Sequence, residues 1–457
     1  MENMATALEI DELPERVLIV GLGITGLSCA RYLHARGVRQ LAVVDSRDNP
    51  PGLDALREAL PDVGLFLGGF DEALFTQTDM LVVSPGVSPD TPAVRHAADR
   101  GVSVVGDVEL FAREARGSIA AITGSNGKST VTTLVGLMAT AANKDVAVGG
   151  NLGKPVLDLL DCDHALYVLE LSSFQLETTH SLAPEVAAVL NISADHMDRY
   201  ADLNGYAKVK AHIYDQAKTG VYNLDDSKVV AMPRAARNLF FTLGEPGDAA
   251  TFGVRRVDGE AWLAHGNHNL LPATDLLMPG RHNLANALAA LAMGSALELP
   301  MEAMLHVLRT YPGLEHRTEF VCEHAGVQWY NDSKGTNPGA TIAALQGLQT
   351  DAGGRTVLIA GGDCKQADFG ELARVIAETA RAVVLIGRDR SQIADLLDAD
   401  IKTVEAQTMD AAVAHAMELA QKGDRVLLSP ACASFDMFDG FEHRGRVFKE
   451  AVRRLCS

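Results

Sequence analysis

One stretch of fourteen residues constrains this chain more than any other. Residues 121–134 read Ala-Ile-Thr-Gly-Ser-Asn-Gly-Lys-Ser-Thr-Val-Thr-Thr-Leu. The apolar residues before it predict a buried strand, and a glycine-rich turn then carries Lys128 and Ser129 into a helix-compatible segment. That order directs backbone N–H groups and a helix N-terminus at a bound phosphate, with a lysine for the terminal phosphates and a hydroxyl for Mg²⁺.

The spacing of this turn differs from that of the usual phosphate loop. Ile122 stands six residues before Lys128, where the first glycine is expected, and Gly124 and Gly127 frame a shorter loop. The alternative interpretation is an incidental Gly-Ser-Asn-Gly turn without a ligand. Because strand, Lys-Ser-Thr and helix follow in register, we predict a protein that uses ATP.

Length and charge limit the remaining possibilities. A chain of 457 residues is too long for a single hydrophobic core, so about three domains are expected. Its 40 basic and 59 acidic residues give a net charge of −19, which disfavours non-specific binding to nucleic acid or to an anionic membrane. We therefore expect no nucleic-acid partner and no membrane insertion.

Two features bear on the compartment in which the protein works. The first fifteen residues are acidic and lack the positively charged start and apolar core of a signal peptide. Six cysteines are scattered without a C-x-x-C pair, which favours reduced thiols over a disulfide or zinc framework. Together they predict a cytoplasmic protein.

A second glycine motif lies near the N-terminus. Residues 21–26 read Gly-Leu-Gly-Ile-Thr-Gly, after a predicted strand and before a predicted helix, and Asp45 ends the next strand about 20 positions later. This is the spacing of a nucleotide-binding βαβ unit. The residues alone leave three interpretations open: a dinucleotide site, a site for another diphosphate such as that of a UDP-sugar, and a packing turn without a ligand.

Strand-length apolar runs alternate with helix-compatible segments along the whole chain. Such alternation is typical of an α/β fold whose parallel sheets are covered by helices. We predict a Rossmann-like domain over 1–106, a central P-loop ATPase-like α/β domain with a mostly parallel sheet over 107–312, and a Rossmann-like α/β domain over 313–457. Ligands are expected in the clefts between these domains.

The central block carries polar residues where apolar strands end. Glu170 follows one strand and could hold Mg²⁺, although a carboxylate there could also satisfy the free amides of a helix N-terminus. His196 follows the next strand among acidic residues, which favours a ligand or catalytic role over a structural one. Lys210 lies in a short helix, and its spacing does not distinguish it from a solvated lysine.

At this point several motifs, in order along nearly the whole chain, resemble those of the ATP-dependent Mur ligases of peptidoglycan synthesis. The shortened loop Gly-x-x-Gly-Lys-Ser/Thr is the form that this family uses. The matching segments are 123–130 (Thr-Gly-Ser-Asn-Gly-Lys-Ser-Thr), 169–177 (Leu-Glu-Leu-Ser-Ser-Phe-Gln-Leu-Glu), 195–199 (Asp-His-Met-Asp-Arg), 280–286 (Gly-Arg-His-Asn-Leu-Ala-Asn), 315–317 (Glu-His-Arg), 331–337 (Asn-Asp-Ser-Lys-Gly-Thr-Asn) and 429–436 (Ser-Pro-Ala-Cys-Ala-Ser-Phe-Asp).

The resemblance implies an amide-forming ligase, most similar to the family members that add D-glutamate to UDP-N-acetylmuramoyl-L-alanine. ATP would activate the substrate carboxylate as an acyl phosphate, and the amine of D-glutamate would attack it. The implied small-molecule partners are ATP and these two substrates, and the implied cofactors are two Mg²⁺ ions and a lysine carbamylated by CO₂. A monomer is expected.

The resemblance also implies roles for individual residues. The implied catalytic residues are Lys128, His196, Lys210 and Asn151. The implied ATP contacts are Gly124, Ser125, Asn126, Gly127, Lys128, Ser129, Thr130, Asn283, Asn286, Arg317 and Asp332. The implied metal ligands are Ser129, Glu170, His196 and Lys210 as its carbamate. The implied contacts with the UDP-substrate are Thr25, Asp45, Ser46, Arg47, Gly86 and Asn151. The implied D-glutamate contacts are His196, Thr336, Lys365, Ser434 and Phe441.

Two residues depart from the family pattern beside the implied amino-acid contacts. Cys364 replaces the usual glycine before Lys365, and Gly335 replaces a common alanine before Thr336. These departures bear on the preference for D- over L-glutamate.

Four rival interpretations are weighed against the D-glutamate ligase. A ligase for L-alanine or a diamino acid would share the ATP machinery, but the Asp-Asn-Pro-Arg motif of the diamino-acid enzymes is absent from the sequence. A folylpolyglutamate synthetase would share the ATP and lysine features but would lack a UDP-binding first block. An NAD(P) oxidoreductase with a regulatory ATPase domain would explain that motif alone, and a non-catalytic nucleotide-binding module would release no phosphate.

Overall fold

Three separate β-sheets organise the chain. The computed structural model describes residues 13–278, 280–349, 353–364 and 367–456. Within these ranges the sheets have five, nine and six strands, and each is built from one continuous part of the sequence. The predicted α/β class with a mostly parallel central sheet is confirmed. The domain boundaries at 106 and 312 stay predictions.

The N-terminal sheet is entirely parallel, in the order β3-β2-β1-β4-β5 that a Rossmann-like unit adopts. Its strands are β1 (Arg16–Val20), β2 (Gln40–Asp45), β3 (Gly64–Leu67), β4 (Met80–Val83) and β5 (Ser103–Val105). Its helices are α1 (Ile24–Ala35), α2 (Leu53–Ala59), α3 (Glu72–Thr76) and α4 (Pro92–Asp99), and α5 (Asp107–Glu114) leads out of it.

The central sheet has the order β14-β13-β12-β11-β10-β9-β6-β8-β7 and is parallel from β7 through β12. Its strands are β6 (Ser118–Thr123), β7 (Val146–Gly150), β8 (Leu166–Glu170), β9 (Val186–Val189), β10 (Thr219–Asn223), β11 (Arg237–Phe241), β12 (Thr251–Val257), β13 (Glu260–His265) and β14 (His268–Pro272). Its helices are α6 (Lys128–Ala141), α7 (Ser173–Leu176), α8 (Leu203–Ala211), α9 (Ser227–Val230), α10 (Arg281–Ala296) and α11 (Met301–Thr310).

The C-terminal sheet has the order β15-β16-β20-β17-β18-β19, with only β15 antiparallel to its neighbour. Its strands are β15 (Glu319–His324), β16 (Val327–Asn331), β17 (Thr356–Gly361), β18 (Ala380–Ile386), β19 (Lys402–Glu405) and β20 (Arg425–Leu428). Its helices are α12 (Pro338–Gly347), α13 (Gly370–Thr379), α14 (Ser391–Ala394), α15 (Met409–Leu419) and α16 (Phe441–Cys456).

The apolar core is continuous between the first two domains. One cluster of buried side chains joins Ile19 of β1, Val108 of α5 and Tyr167 of β8. The C-terminal sheet buries its two faces in separate clusters. The parallel strands of each sheet have their carboxyl ends at one edge, so the loops that follow these strands gather there. Ligands of α/β proteins bind at such edges.

Candidate active site

The phosphate loop links β6 to α6 in a conformation that only glycine tolerates easily. Gly124 has a φ of 149° and Gly127 a φ of 83°. The side-chain amide of Asn191, just after β9, accepts from the N–H of Asn126 at 2.8 Å and donates to its carbonyl oxygen at 3.0 Å. The loop is therefore held from the neighbouring strand end, with Lys128 as the first residue of α6.

Lys128 has its ammonium group inside the loop. Nζ donates to the carbonyl oxygens of Gly124 and Ser125, each at 2.9 Å. Burial lowers the pKa of Lys128, and the nearby Glu170 carboxylate opposes that effect. The lysine therefore lies beside an acidic group and at the helix N-terminus, where an anion is favoured.

Glu170 presents an oxygen that has no partner among the described residues. It ends β8 with 2% of its surface exposed, and its Oε1 accepts from Asn151 Nδ2 at 2.7 Å. Its Oε2 is buried and accepts no hydrogen bond from any residue that the structure describes. Such an oxygen is costly to bury without a ligand, and carboxylate oxygens are ligands that Mg²⁺ prefers.

Lys210 is almost completely buried, with 1% of its surface exposed. Its Nζ donates to Thr123 Oγ1 at 3.2 Å and lies 4.7 Å from the centre of the Tyr206 ring. Burial, followed by repulsion from Lys128, holds the pKa of Lys210 well below its usual range. The structure thus places the amine beside the end of β6, next to the phosphate loop, with its neutral form favoured.

His196 lies in the segment after β9, in the left-handed backbone region at φ 56°. Its ring centre is 4.7 Å from that of Phe174, and burial lowers the pKa of the imidazole although neighbouring aspartates oppose this. The adjacent Asp195 accepts from Asn337 Nδ2 at 3.2 Å. Because Asn337 follows the predicted contact Thr336, this bond joins the central and C-terminal parts of the site.

A cavity of about 330 Å³ opens between the central and C-terminal domains. This volume falls within the range of small-molecule sites. On its central side, Asn286 Nδ2 donates to Asn283 Oδ1 at 3.2 Å, and both residues lie in the first turns of α10. The cavity collects seven of the predicted ATP contacts: Asn126, Gly127, Thr130, Asn283, Asn286, Arg317 and Asp332.

Arg317 connects the C-terminal domain to the phosphate loop. Its Nη2 donates to Ser129 Oγ at 2.8 Å, so the hydroxyl predicted to bind metal has a protein partner in this arrangement. Asp332, across the same cavity, accepts from Thr318 N at 3.0 Å and from Ser429 Oγ at 2.6 Å. Burial raises the pKa of Asp332 to about 6.

Apart from His196, the predicted amino-acid contacts that the structure describes belong to the C-terminal domain and do not line the cavity. Thr336 follows β16, Ser434 follows β20, and Phe441 begins α16. Ser333 Oγ donates to the carbonyl oxygen of Phe441 at 2.8 Å, which ties two of these loops together. Lys365 lies outside the described residues.

Lys334 belongs to the site although the sequence analysis gave it no role. It lines the cavity, and its Nζ lies 3.9 Å from the centre of the Phe441 ring. Burial lowers the pKa of Lys334 to about 8. The sequence offers one indication of this role: Lys334 lies in the matched segment 331–337, between the predicted contacts Asp332 and Thr336.

The N-terminal glycine turn is closed by Asp45. Its Oδ2 accepts from the N–H of Leu22 at 2.7 Å, and its Oδ1 accepts from Arg47 Nε at 2.9 Å. The hydrogen bond from Arg47 lowers the pKa of Asp45 to about 2. Since Asp45 is buried, it positions the turn, whereas the exposed Ser46 and Gly86 lie at the sheet edge.

The predicted UDP-binding edge reaches the central domain at two points. Thr25 lies in the first turn of α1, and Ser28 on the same helix donates to Asp158 at 2.6 Å. Arg199, three residues after His196, donates to the carbonyl oxygen of Val87 at 3.3 Å. Asn151, which is predicted to contact the sugar part of the substrate, donates a hydrogen bond from its side chain to Glu170.

Comparison with known protein families covers most of the chain. Residues 15–106 match the N-terminal domain of MurD-like Mur ligases, residues 122–294 the Mur ligase middle domain, and residues 316–432 the glutamate ligase domain of Mur ligases. The chain belongs to the Mur ligase family. The three domains of this Mur ligase and its α/β fold class are thereby confirmed.

Individual relatives extend over nearly the full length of this Mur ligase. The UDP-N-acetylmuramoylalanine–D-glutamate ligase of Nitrosococcus oceani is 52% identical over 96% of this chain and 97% of its own. That of Marinobacter nauticus is 52% identical over 96% and 98%. The MurF ligase of Thermotoga maritima, solved in complex with ADP, is 16% identical over 98% of both chains with a TM-score of 0.60, which shows the shared fold.

No helix in the described ranges combines the length and the apolar character that a bilayer crossing requires.

Proposed function

We propose that this Mur ligase joins D-glutamate to UDP-N-acetylmuramoyl-L-alanine in peptidoglycan precursor synthesis, with conversion of ATP to ADP and phosphate. The observation that carries the proposal is the cavity between the phosphate loop and the C-terminal domain, which Asn126 and Gly127 line on one side and Arg317 and Asp332 on the other. Lys128, the first residue of α6, and Glu170, at the end of β8, lie beside the same loop. Relatives named for that activity, 52% identical over 96% of this chain, support the choice of substrates.

The first chemical step transfers the γ-phosphoryl group of ATP to the L-alanyl carboxylate of the substrate, giving an acyl phosphate and ADP. Such a transfer depends on alignment and on neutralising the negative charge of the phosphates. Lys128 at the start of α6 donates to a carbonyl oxygen of the loop, and Arg317 contacts Ser129, the next residue, from the C-terminal domain. Lys334 adds a third cation at the cavity wall.

In the second step the amine of D-glutamate attacks the acyl carbon, and phosphate leaves from the tetrahedral intermediate while the amine loses a proton. Cations around the intermediate stabilise its developing negative charge. We assign the placement of D-glutamate to Thr336, Ser434, Phe441 and His196, together with Lys365. Support comes from the contact between Asp195 and Asn337, which brings the His196 segment beside the loop that carries Thr336.

The residues around Glu170 fit a divalent cation. Glu170 Oε2 is buried without a partner among the described residues, and oxygen donors are what Mg²⁺ prefers. We propose that Ser129 and Glu170 hold one Mg²⁺ and that His196 and carbamylated Lys210 hold a second. When bound, the ions neutralise phosphate charge and align the reacting groups.

The burial of Lys210 supports its carbamylation. Only a neutral amine adds to CO₂, forming a carbamate and releasing a proton, and burial beside Lys128 favours the neutral form. Carbon-13 NMR of the protein in labelled bicarbonate tests this, since a carbamate resonance should be present in the native chain and absent from Lys210→Arg. A spectrum without that resonance at saturating bicarbonate contradicts the assignment.

We assign the uridine diphosphate group to the N-terminal turn, near Thr25, Ser46, Arg47 and Gly86, with Asn151 on the sugar side and Asp45 as the residue that closes the turn. We also propose that the enzyme is a cytoplasmic monomer and that its domains meet at residues 106 and 312. Light scattering after size-exclusion chromatography tests the oligomeric state.

The deciding experiment measures phosphate release from ATP with UDP-N-acetylmuramoyl-L-alanine and one of three amino acids: D-glutamate, L-glutamate or meso-diaminopimelate. We expect release with D-glutamate that requires both substrates. Preference for either other amino acid overturns the choice of substrate. A change in nicotinamide absorbance instead of phosphate release would favour the oxidoreductase, and no release with any pair would favour a binding module.

A further inference from the structure

Two cysteines of the C-terminal domain meet in its interior. Cys364 follows β17 and Cys432 follows β20, and 2% and 1% of their surfaces are exposed. Their Sγ atoms lie 2.9 Å apart, at hydrogen-bonding distance, and both thiols are free. The sequence expectation of reduced thiols throughout is wrong at Cys322, which is disulfide-bonded, because spacing along the chain does not reveal which thiols the fold brings together.

The backbone holds this pair in register. Asp363 and Ala433 form an isolated antiparallel bridge and exchange both hydrogen bonds, at 3.0 and 2.9 Å. In an antiparallel pair the next opposed residues, here Cys364 and Cys432, occupy a non-hydrogen-bonded position, where Cα atoms are about 4.5 Å apart. That separation lies within the range that a disulfide spans, so the bond can form without rearranging either loop.

The same loops carry the amino-acid contacts assigned above. Cys364 directly precedes Lys365 in the sequence, and Ser434 comes two residues after Cys432. The carbonyl oxygen of Cys432 accepts from Arg444 Nη1 at 3.1 Å, and Arg444 Nη2 donates to the carbonyl oxygen of Ser333 at 2.8 Å. Arg444 therefore connects the segment of Cys432 to the loop that follows β16.

We propose that Cys364 and Cys432 are a reversible oxidative modification site at which a small peroxide converts the two thiols to a disulfide that weakens binding of the amino-acid substrate. The regulatory part rests on the proposed function, whereas formation of the bond does not.

The chemistry balances with hydrogen peroxide as the oxidant. One thiolate attacks a peroxide oxygen, which gives a sulfenic acid and releases hydroxide. The second thiol then attacks that sulfur, forming the S–S bond and releasing water, so two thiols and one peroxide yield one disulfide and two waters. A dithiol reverses the change by thiol–disulfide exchange.

Burial makes this reaction slow and selective for small oxidants. The hydrogen bond with Cys364, together with burial, raises the pKa of the Cys432 thiol, so little thiolate is present at neutral pH. Oxidation is therefore expected to accelerate as the pH rises. A bulky aromatic disulfide should reach the pair only after local opening of the loops.

The test treats the reduced full-length enzyme with hydrogen peroxide, alkylates free thiols and digests it without reduction. We expect a cross-linked peptide pair that contains both cysteines and is lighter by two hydrogen atoms. The KM for D-glutamate should rise about tenfold, since displacements below 1 Å at a reacting site already matter. The KM for ATP should not change, and dithiothreitol should restore the original value.

Variants separate this site from general oxidative damage. Cys364→Gly and Cys432→Ser should each abolish the cross-linked peptide and the peroxide effect, while Cys162→Ser, which removes an exposed thiol, should retain both. Absence of the cross-linked peptide overturns the modification site. A cross-link with unchanged KM overturns its regulatory role, and a cross-link in an enzyme that never releases phosphate overturns the proposed function instead.

Discussion

Two glycine-rich turns in this molecule have a similar backbone arrangement, a strand followed by a tight turn and a helix, and differ in the side chains around them. The turn at Gly21–Gly26 carries the chain from β1 into α1, and the turn at Gly124–Gly127 carries it from β6 into α6. Both lie at the carboxyl ends of parallel strands, with positive φ at Gly21 in the first turn and at Gly124 and Gly127 in the second. In each, free amides at a helix N-terminus are available to a phosphate group.

What surrounds the two turns is different. The first is closed by the Asp45 carboxylate, which is satisfied by Leu22 and Arg47. The second contains Lys128 and faces Glu170, whose Oε2 lacks a partner among the described residues. We therefore expect the backbone to supply phosphate binding at both turns, and residues at the ends of neighbouring strands to decide whether phosphate is only held or also transferred.

The largest effect is expected from Lys128→Ala. Removing the cation at the start of α6 should lower kcat by about a thousandfold, because it neutralises charge on the transferred phosphoryl group. Phosphate release measures this, and calorimetric titration should show unchanged affinity for the UDP-substrate. Lys144→Ala, in the exposed segment after α6, is the control and should behave as the native chain. A variant that keeps more than a tenth of kcat contradicts the assigned role.

Glu170→Gln comes next, with an expected loss in kcat of about a hundredfold and a higher Mg²⁺ concentration for half-maximal activity. The amide can still accept the hydrogen bond from Asn151, so the fold should persist. Titration of activity with Mg²⁺ measures the effect. Glu185→Gln, which alters a carboxylate before β9 at the opposite sheet edge, should leave the titration curve in place. An unchanged Mg²⁺ requirement in Glu170→Gln counts against the metal site.

Much of the fold could be predicted from the sequence, because buried parallel strands are short apolar runs. Short, largely apolar segments of the sequence at 16–20, 80–83 and 425–428 coincide with β1, β4 and β20. The edge strand β19 of the C-terminal sheet cannot be recognised in this way. β19 reads Lys-Thr-Val-Glu and is largely exposed, so it has no apolar run that would separate it from a loop.

The site was predictable where a motif is local and unpredictable where distant segments meet. Residues 123–130 indicate phosphate binding by themselves. Lys210 becomes a candidate site residue because it is buried beside Thr123, 87 positions earlier in the chain. Arg317 becomes one because it contacts Ser129, 188 positions away. Neither contact leaves a periodic trace in the sequence, so the resemblance to a family was needed to single out these residues.

Gly23→Ala probes the first turn with a smaller expected effect. Gly23 has a φ of −98° and no atom within 4 Å of the position of an added Cβ, so the fold should tolerate alanine. If the diphosphate packs on this turn, the methyl group meets the ligand, and KM for the UDP-substrate should rise about tenfold. The melting temperature and KM for ATP should not change. Gly69→Ala, equally open in the structure, is the control, and equal KM values in both variants would place the diphosphate elsewhere.

The smallest effect concerns how Asp45 holds the first turn. Its folded-state pKa of about 2 lies below the ordinary 3.8, so the carboxylate adds stability above about pH 4 and loses that contribution as the pH falls toward 2. Since the Arg47 side chain is 54% exposed, solvent screening reduces the gain to about 1 kcal/mol. In Asp45→Asn, the midpoint of urea unfolding should therefore be lower than in the native chain at pH 6, and the difference should shrink by pH 3. The exposed Asp48→Asn should show no such convergence. A difference between Asp45→Asn and the native chain that is independent of pH would mean that the variant is destabilised by a lost hydrogen bond rather than by the lost charge, which contradicts the expected electrostatic contribution of Asp45.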